Sequence, residues 1–245
     1  MRHSGSMENK ARTARERARE EITAEILAAA RARLEQSGPG GLSLRAVARD
    51  VGMVSSAVYR YFASRDELLT ALLIEAYDSL GTAAEDADAS IADRSDTRTR
   101  WMATCRAIRA WALAHRHEYA LLYGSPVTGY AAPQDTVTPA ARVIVRLVDI
   151  VVTASAAGDV SPEPPQDAPP GFAASISDAL AAVEEITGQR LDATPELVGR
   201  LVMAWSSLFG VVSFELWGHL IGSVNDHDAY FDGVVARLWS DLGGR

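Results

Sequence analysis

The sequence predicts an all-α protein of nine or ten helices, split between a small N-terminal head and a longer helical body. Three observations predict it. Strand-like alternation is nearly absent, alanine is abundant with apolar residues recurring at helical spacing, and cap and stop residues sit where those stripes begin and end.

Ile22, Ile26, Ala30 and Leu34 stripe a first helix over about residues 12–36, which Gly38-Pro39-Gly40-Gly41 ends. Ser43 is placed to cap a short helix through Val51, Gly52 permits a turn, and Ser55 caps another short helix to about Tyr61. Ser64, with Glu67 three residues on, is a capping box that opens a long helix through Leu68, Leu69, Leu72, Leu73 and Ala76. The pattern weakens after residue 84. Trp101, Cys105, Ile108, Ala112 and His115 then mark a further helix, 125–139 reads as a loop, and Val143, Leu147 and Val151 mark another helix.

Residues 155–171 hold five of the ten prolines and read as a mobile connection. Phe172, Ile176, Leu180 and Val183 stripe one helix. Thr194-Pro195-Glu196 opens the next with a cap, a first-turn proline and an acid at the positive end of the dipole. Leu197, Leu201, Trp205, Leu208 and Val212 carry it to about Leu220, and a last helix covers Asp228 to about Leu242.

Composition bounds the function. A hydrophobic fraction of 48% with 23% charged residues is that of a globular protein. No uninterrupted apolar run approaches the roughly 20 residues of a membrane helix, so no membrane partner is expected. The single cysteine, Cys105, excludes an intrachain disulfide and suits a reducing cytoplasm. Residues 1–6 read either as a vector scar before a start at Met7 or as a native tail. Net charge is −8, which argues against nucleic acid until it is divided: residues 1–70 carry +3 and the remainder −11. A basic head on an acidic body points one end at phosphates.

Within the head, residues 43–62 have the shape of two short helices joined by a tight turn, which holds one helix rigidly for the major groove. Val47, Val51, Val54, Val58 and Phe62 are expected to form its core, which leaves Ser55, Ser56, Ala57, Tyr59, Arg60 and Tyr61 exposed. Small polar groups and phenol hydroxyls suit base edges and phosphates, and Arg60 suits either. The string Val58-Tyr59-Arg60-Tyr61-Phe62-Ala63-Ser64-Arg65-Asp66-Glu67-Leu68-Leu69 closely resembles the signature of the tetracycline-repressor (TetR) family, over about residues 18–75.

The resemblance implies an N-terminal helix-turn-helix DNA-binding domain and a C-terminal ligand-binding and dimerisation domain, taken here as 18–66 and 67–245 after a flexible arm over 1–17. It implies that Ser43 bonds phosphate, that Ser55, Ser56 and Ala57 meet bases, and that Tyr59 and Tyr61 pin the backbone. Arg65 stands where the family usually has lysine and is expected to grip phosphate. Arg45 and Arg60 complete the candidate set. Arginines of the arm, Arg12 to Arg19, suit either a minor-groove extension or a solvated helix face with pairs such as Arg12–Glu16.

The resemblance further implies a homodimer on an inverted-repeat operator, paired through the helices of 172–220, where Ser206, Gly210 and Ser213 thin one face. In the body, Trp101, Met102, Cys105, Tyr119, Tyr123, Trp205 and Phe209 are the candidate lining of a pocket for a small hydrophobic effector. Plain core packing is the competing account of each aromatic. Glu215 and His219 share metal-pair spacing but read better as a hydrogen bond along one helix face, and no metal or cofactor is expected. An enzyme ranks behind both a ligand-released repressor and a DNA binder without effector, because no phosphate loop, Gly-x-Ser-x-Gly or coherent acid–base set is present.

Overall fold

The computed structural model describes residues 14–161, 171–187 and 193–244, and every regular element among them is helical. They fall into two compact units, one within Met1–Leu72 and Pro126–Tyr130, the other within Leu73–Ser125 and Ala131–Arg245. Most of the expected N-terminal arm and residues 162–170 of the expected Pro-rich connection lie outside the described residues.

The first unit holds α1 (Ala14–Ser37), α2 (Leu44–Asp50), α3 (Ser55–Val58) and the start of α4 (Arg65–Ala89). Ser43 caps α2 as its residue type requires, its hydroxyl accepting the Ala46 N–H at 3.2 Å. Gly52 takes φ 67° in the turn, a conformation that strains any residue with a Cβ. The cap of α3 is Val54 rather than Ser55, with no side-chain hydrogen bond, and the helix closes only one turn. Val54 is accordingly 70% exposed and no part of the core; Val47, Val58 and Phe62 fill it with Ile26, Ala30 and Leu69. At α4, Ser64 accepts the Glu67 N–H at 3.0 Å, but Glu67 reaches back to the Ala63 N–H at 2.6 Å, one residue before the expected reciprocal partner.

The second unit continues α4 and adds α5 (Thr97–Ala114), α6 (Arg116–Tyr123), α7 (Val137–Ala157), α8 (Phe172–Ser175), α9 (Ser177–Thr187), α10 (Pro195–Leu216) and α11 (His227–Asp241). Its core runs from Ala76, Leu80 and Ala84 through Trp101, Ile108, Leu147 and Ile150 to Leu208, Val212, Phe231 and Trp239. The predicted 172–187 helix is broken at Ile176, whose φ −121° and ψ 17° separate α8 from α9. The predicted loop at 155 starts too early: α7 persists to Ala157. Helix α7 comes close to α4 at Gly81, where a Cβ would stand 2.8 Å from Arg142 Cβ. Arg142 uses that approach to bond Glu85 at 2.6 and 2.9 Å and Asp78 at 2.9 Å, and this pairing holds the Glu85 carboxyl below the usual carboxylate range.

Helix α10 corrects the reading of membrane length. Its 22 residues have a mean hydropathy of 1.6 over the most apolar window, enough by length and composition to cross a membrane. Its three spaced charges, Glu196, Arg200 and Glu215, break the apolar run. In the fold its Leu197, Leu201, Leu208 and Val212 side chains are core, as in a central helix of a globular domain.

Candidate nucleic-acid interface and effector cavity

The head is braced from three sides. Arg33 of α1 forks onto Asp50 at the end of α2, at 2.5 and 2.8 Å, and the pairing holds that carboxyl below its ordinary range. Arg65 donates to the Leu42 carbonyl at 3.0 Å and the Pro39 carbonyl at 2.8 Å, pinning the start of α4 to the segment that leads into α2. Thr70 and Tyr130 share a 2.8 Å hydrogen bond between hydroxyls.

This bracing leaves an exposed rim: Ser43, Arg45, Ser56, Tyr59 and Arg60 are solvent-facing, with Ser55 and Tyr61 half-buried. Ser43 spends its acceptor on the α2 cap and keeps its O–H free to donate. Arg19 of α1 stacks over the Tyr61 ring at 5.3 Å and reaches the Arg60 carbonyl at 3.5 Å, so this residue of the expected arm packs on the turn after α3. Two members of the candidate set are placed differently from expectation. Ala57 is 8% exposed, because with Val58 it forms the inner face of a one-turn helix. Arg65 is committed to two backbone carbonyls, so its first role is to hold the scaffold. Arg65→Ala should lower head stability by about 1–3 kcal/mol, the net worth of charge-assisted hydrogen bonds at a partly exposed site, readable as a fall in the urea midpoint. Sequence alone gave no signal for the Arg33–Asp50 or Arg65 braces, since their partners are carbonyls or lie 17 residues away.

In the body, the candidate lining divides. Tyr119, Tyr123 and Phe209 come together, with centroids 5.1 Å apart for the two tyrosines and 4.3 Å for Tyr123 and Phe209, and Trp205 meets Phe209 at 6.0 Å. Tyr119 is fully buried; its O–H donates to the Phe209 carbonyl at 3.0 Å and meets Ser213 Oγ at 2.9 Å. Ser213 therefore faces inward instead of thinning an outer face with Gly210. Trp101 lies in another part of the core, its Nε1–H on the Val235 carbonyl at 3.1 Å and its ring 6.0 Å from Trp239. Cys105 is fully buried, which pushes its thiol up and keeps it inert, and Met102 packs at the core edge.

Among the described residues, the aromatic side chains do not line the aliphatic cavity between α7, α9 and α10. That cavity, about 30 Å³, is walled by Ile144, Val148, Val151 and Val152 of α7, Val183 of α9, Ala193, and Leu197, Val198, Leu201 and Val202 of α10. It is wholly aliphatic, and none of the expected lining residues borders it. Glu215 pairs with Arg109 through two 2.7 Å bonds, and its expected bond to His219 is not made; the His219 ring instead meets the Phe214 ring at a tilt, centroids 5.1 Å apart. Among the described residues no group of three or more His, Cys, Asp or Glu side chains is placed to hold a metal.

One outer face is unusually apolar. Met203, Gly210, Phe214 and Trp217 recur at helical spacing along α10 and its C-cap, Met203 and Phe214 each 54% exposed; Ile221, 79% exposed, lies in the turn beyond left-handed Gly218. A Cβ at Gly210, or at Gly233 of α11, would meet no neighbour within 4 Å.

Residues 26–72 match bacterial regulatory proteins of the tetR family, and residues 101–238 match the tetracyclin repressor-like C-terminal domain. An HTH-type transcriptional regulator of Mycobacterium tuberculosis is 39% identical over 230 residues, 90% of this chain and 92% of the relative; one from Mycobacterium bovis matches equally. The crystal structure of one regulatory protein superposes with a TM-score of 0.75 at 34% identity, covering 93% of this chain and 100% of the other. A tetR-family regulatory protein from Rhodococcus RHA1 shares the fold at a TM-score of 0.60 and 17% identity, over 92% and 98% of the two chains.

Proposed function

Because this chain belongs to the tetR family of bacterial regulatory proteins, and so is a DNA-binding transcriptional regulator, we propose that it acts as a cytoplasmic repressor, released from an inverted-repeat operator by a small hydrophobic effector. The observation that carries this reading is the exposed rim of Ser43, Arg45, Ser56, Tyr59 and Arg60 on a head held rigid by the Arg33–Asp50 and Arg65 braces. Rigid presentation matters because direct readout depends on hydrogen-bond geometry that a loose loop loses. Arg45 and Arg60 supply charge for phosphates or guanine edges, and Tyr59 and Ser43 supply hydroxyl donors.

A head this small binds weakly alone, and the apolar stripe on α10 supports pairing of two copies that brings two heads to two half-sites. The effector is assigned to the aliphatic cavity between α7, α9 and α10. At about 30 Å³ it holds little more than a water, against the roughly 300–1,000 Å³ of typical ligand pockets, so binding must enlarge it. A ligand that fits only the enlarged body shifts the population away from the operator-matched spacing of heads.

The same small volume favours a second reading, a DNA binder without an effector, controlled by a protein partner or acting architecturally. Two measurements test these readings. A gel shift on the DNA upstream of its own gene should show a retarded band at low salt that fades steeply as salt rises; no band at any salt sinks the DNA-binding claim. A thermal-shift screen of hydrophobic compounds should find one that raises the melting temperature and releases the DNA, and a screen without a hit favours the second reading.

A further inference from the structure

The turn between α2 and α3 carries an apolar side chain that the fold does not use. Val54 is 70% exposed, while Val47 and Val58 on either side of it are fully buried. Its position is nevertheless fixed: the neighbouring Met53 N–H bonds the Ala48 carbonyl at 2.8 Å, and the Val54 carbonyl accepts the Ala57 N–H at 2.9 Å. Among the described residues of the head, Val54 and Tyr59 are the large apolar side chains left exposed. A single exposed valine is ordinary on most surfaces. This one is the N-cap of α3, directly before Ser55, Ser56 and Ala57, the residues proposed to meet bases.

We propose that Val54 is a specificity-determining residue that reads the C5-methyl group of a thymine in the major groove, an inference that rests on the DNA-binding reading above. Every base pair offers donors and acceptors in that groove, but only thymine offers a methyl. Ser55 and Ser56 hydroxyls both donate and accept, so they discriminate little by themselves. The isopropyl group of Val54 has neither capacity. It gains by covering a methyl and loses by desolvating a bare donor or acceptor. One position of each half-site is therefore selected by apolar contact, through the side chain alone.

The test begins by selecting a duplex from a random pool with the full-length wild-type protein. Its thymines are then replaced one at a time by deoxyuridine, which pairs identically and lacks only the methyl. Affinities are read by fluorescence anisotropy for wild type and Val54→Ala. The expected result is one thymine per half-site whose methyl loss weakens wild type about fourfold, the worth of one buried methyl. Val54→Ala, which loses the contact in both half-sites of a dimer, binds the thymine duplex about 16-fold more weakly and is indifferent to deoxyuridine there, with an unchanged melting temperature because the side chain is outside the core. If Val54→Ala responds to deoxyuridine as wild type does at every thymine, or if wild type responds at none, the proposal is overturned. Failure to select any duplex overturns the DNA-binding reading itself. Val54→Thr, which keeps the branched shape and one methyl, should fall between the two and controls for altered turn geometry.

Discussion

Replacing Asp88 with alanine should lower the unfolding free energy by about 3 kcal/mol, which makes it one of the most damaging single changes in the body. Asp88 lies near the end of α4, is 2% exposed, and accepts from Arg100 at 2.7 and 3.3 Å, Arg94 at 2.6 Å and Arg146 at 3.4 Å. Arg100 is equally buried and also bonds Asp149 at 3.0 Å. Removing Asp88 strands the Arg100 guanidinium, with half-exposed Asp149 as its remaining carboxylate partner, so the cost belongs at the lower end of the range for a broken buried pair. Asp88→Leu combined with Arg100→Met should recover most of the loss, since an apolar pair of similar volume avoids the uncompensated charge. If the double variant is as unstable as the single, the stranded guanidinium is not the cause of the loss.

The same node sets a pH dependence. Burial raises the Asp88 carboxyl, but hydrogen bonds from Arg100 and Arg94 outweigh it and hold the group below its ordinary value. A carboxylate depressed in the folded state contributes stability that is complete above its unfolded value, near 4, and disappears as pH falls through the lower folded value. Wild type should therefore lose stability on acidification below about pH 4 more steeply than Asp88→Ala, measured as urea midpoints across the acid range. Parallel curves would show that Asp88 is not depressed.

Gly210→Arg should leave the monomer folded yet abolish pairing and weaken operator binding by at least about 100-fold, the difference between one half-site and two. Gly210 lies mid-helix on the outer stripe of α10, where an added Cβ meets nothing within 4 Å. Within one chain the change should even stabilise the helix, by up to about 1 kcal/mol. If the stripe is the two-fold interface proposed above, the arginine appears twice in it and buries two like charges among Met203, Phe214 and Trp217. Sedimentation velocity reads the mass, and anisotropy on full and half operators reads the binding. A Gly210→Arg protein that stays dimeric with full affinity places the interface elsewhere.

Features written by short-range chemistry are legible in the chain before it folds. Ser43 and Thr194 cap helices because a hydroxyl before a helix satisfies an orphan amide, and both do so in the fold. Gly52 marks the turn because only glycine adopts its φ without strain, and the Tyr59-to-Leu69 string placed the chain in its family before any coordinates. Other features depend on partners remote in sequence and emerge with the fold. Val54 matches the i,i+4 spacing of a core residue with Val58, yet α3 starts after it and turns it out to solvent. Arg65 has the charge of a phosphate ligand, but the Pro39 and Leu42 carbonyls, 26 and 23 residues away, claim its fork. The aromatics of the body look like a pocket in sequence, whereas the cavity lies among branched aliphatics of α7, α9 and α10. Periodicity says which face of a helix is apolar; it does not say whether that face meets core, cavity or a second copy, because that depends on which helix is brought opposite.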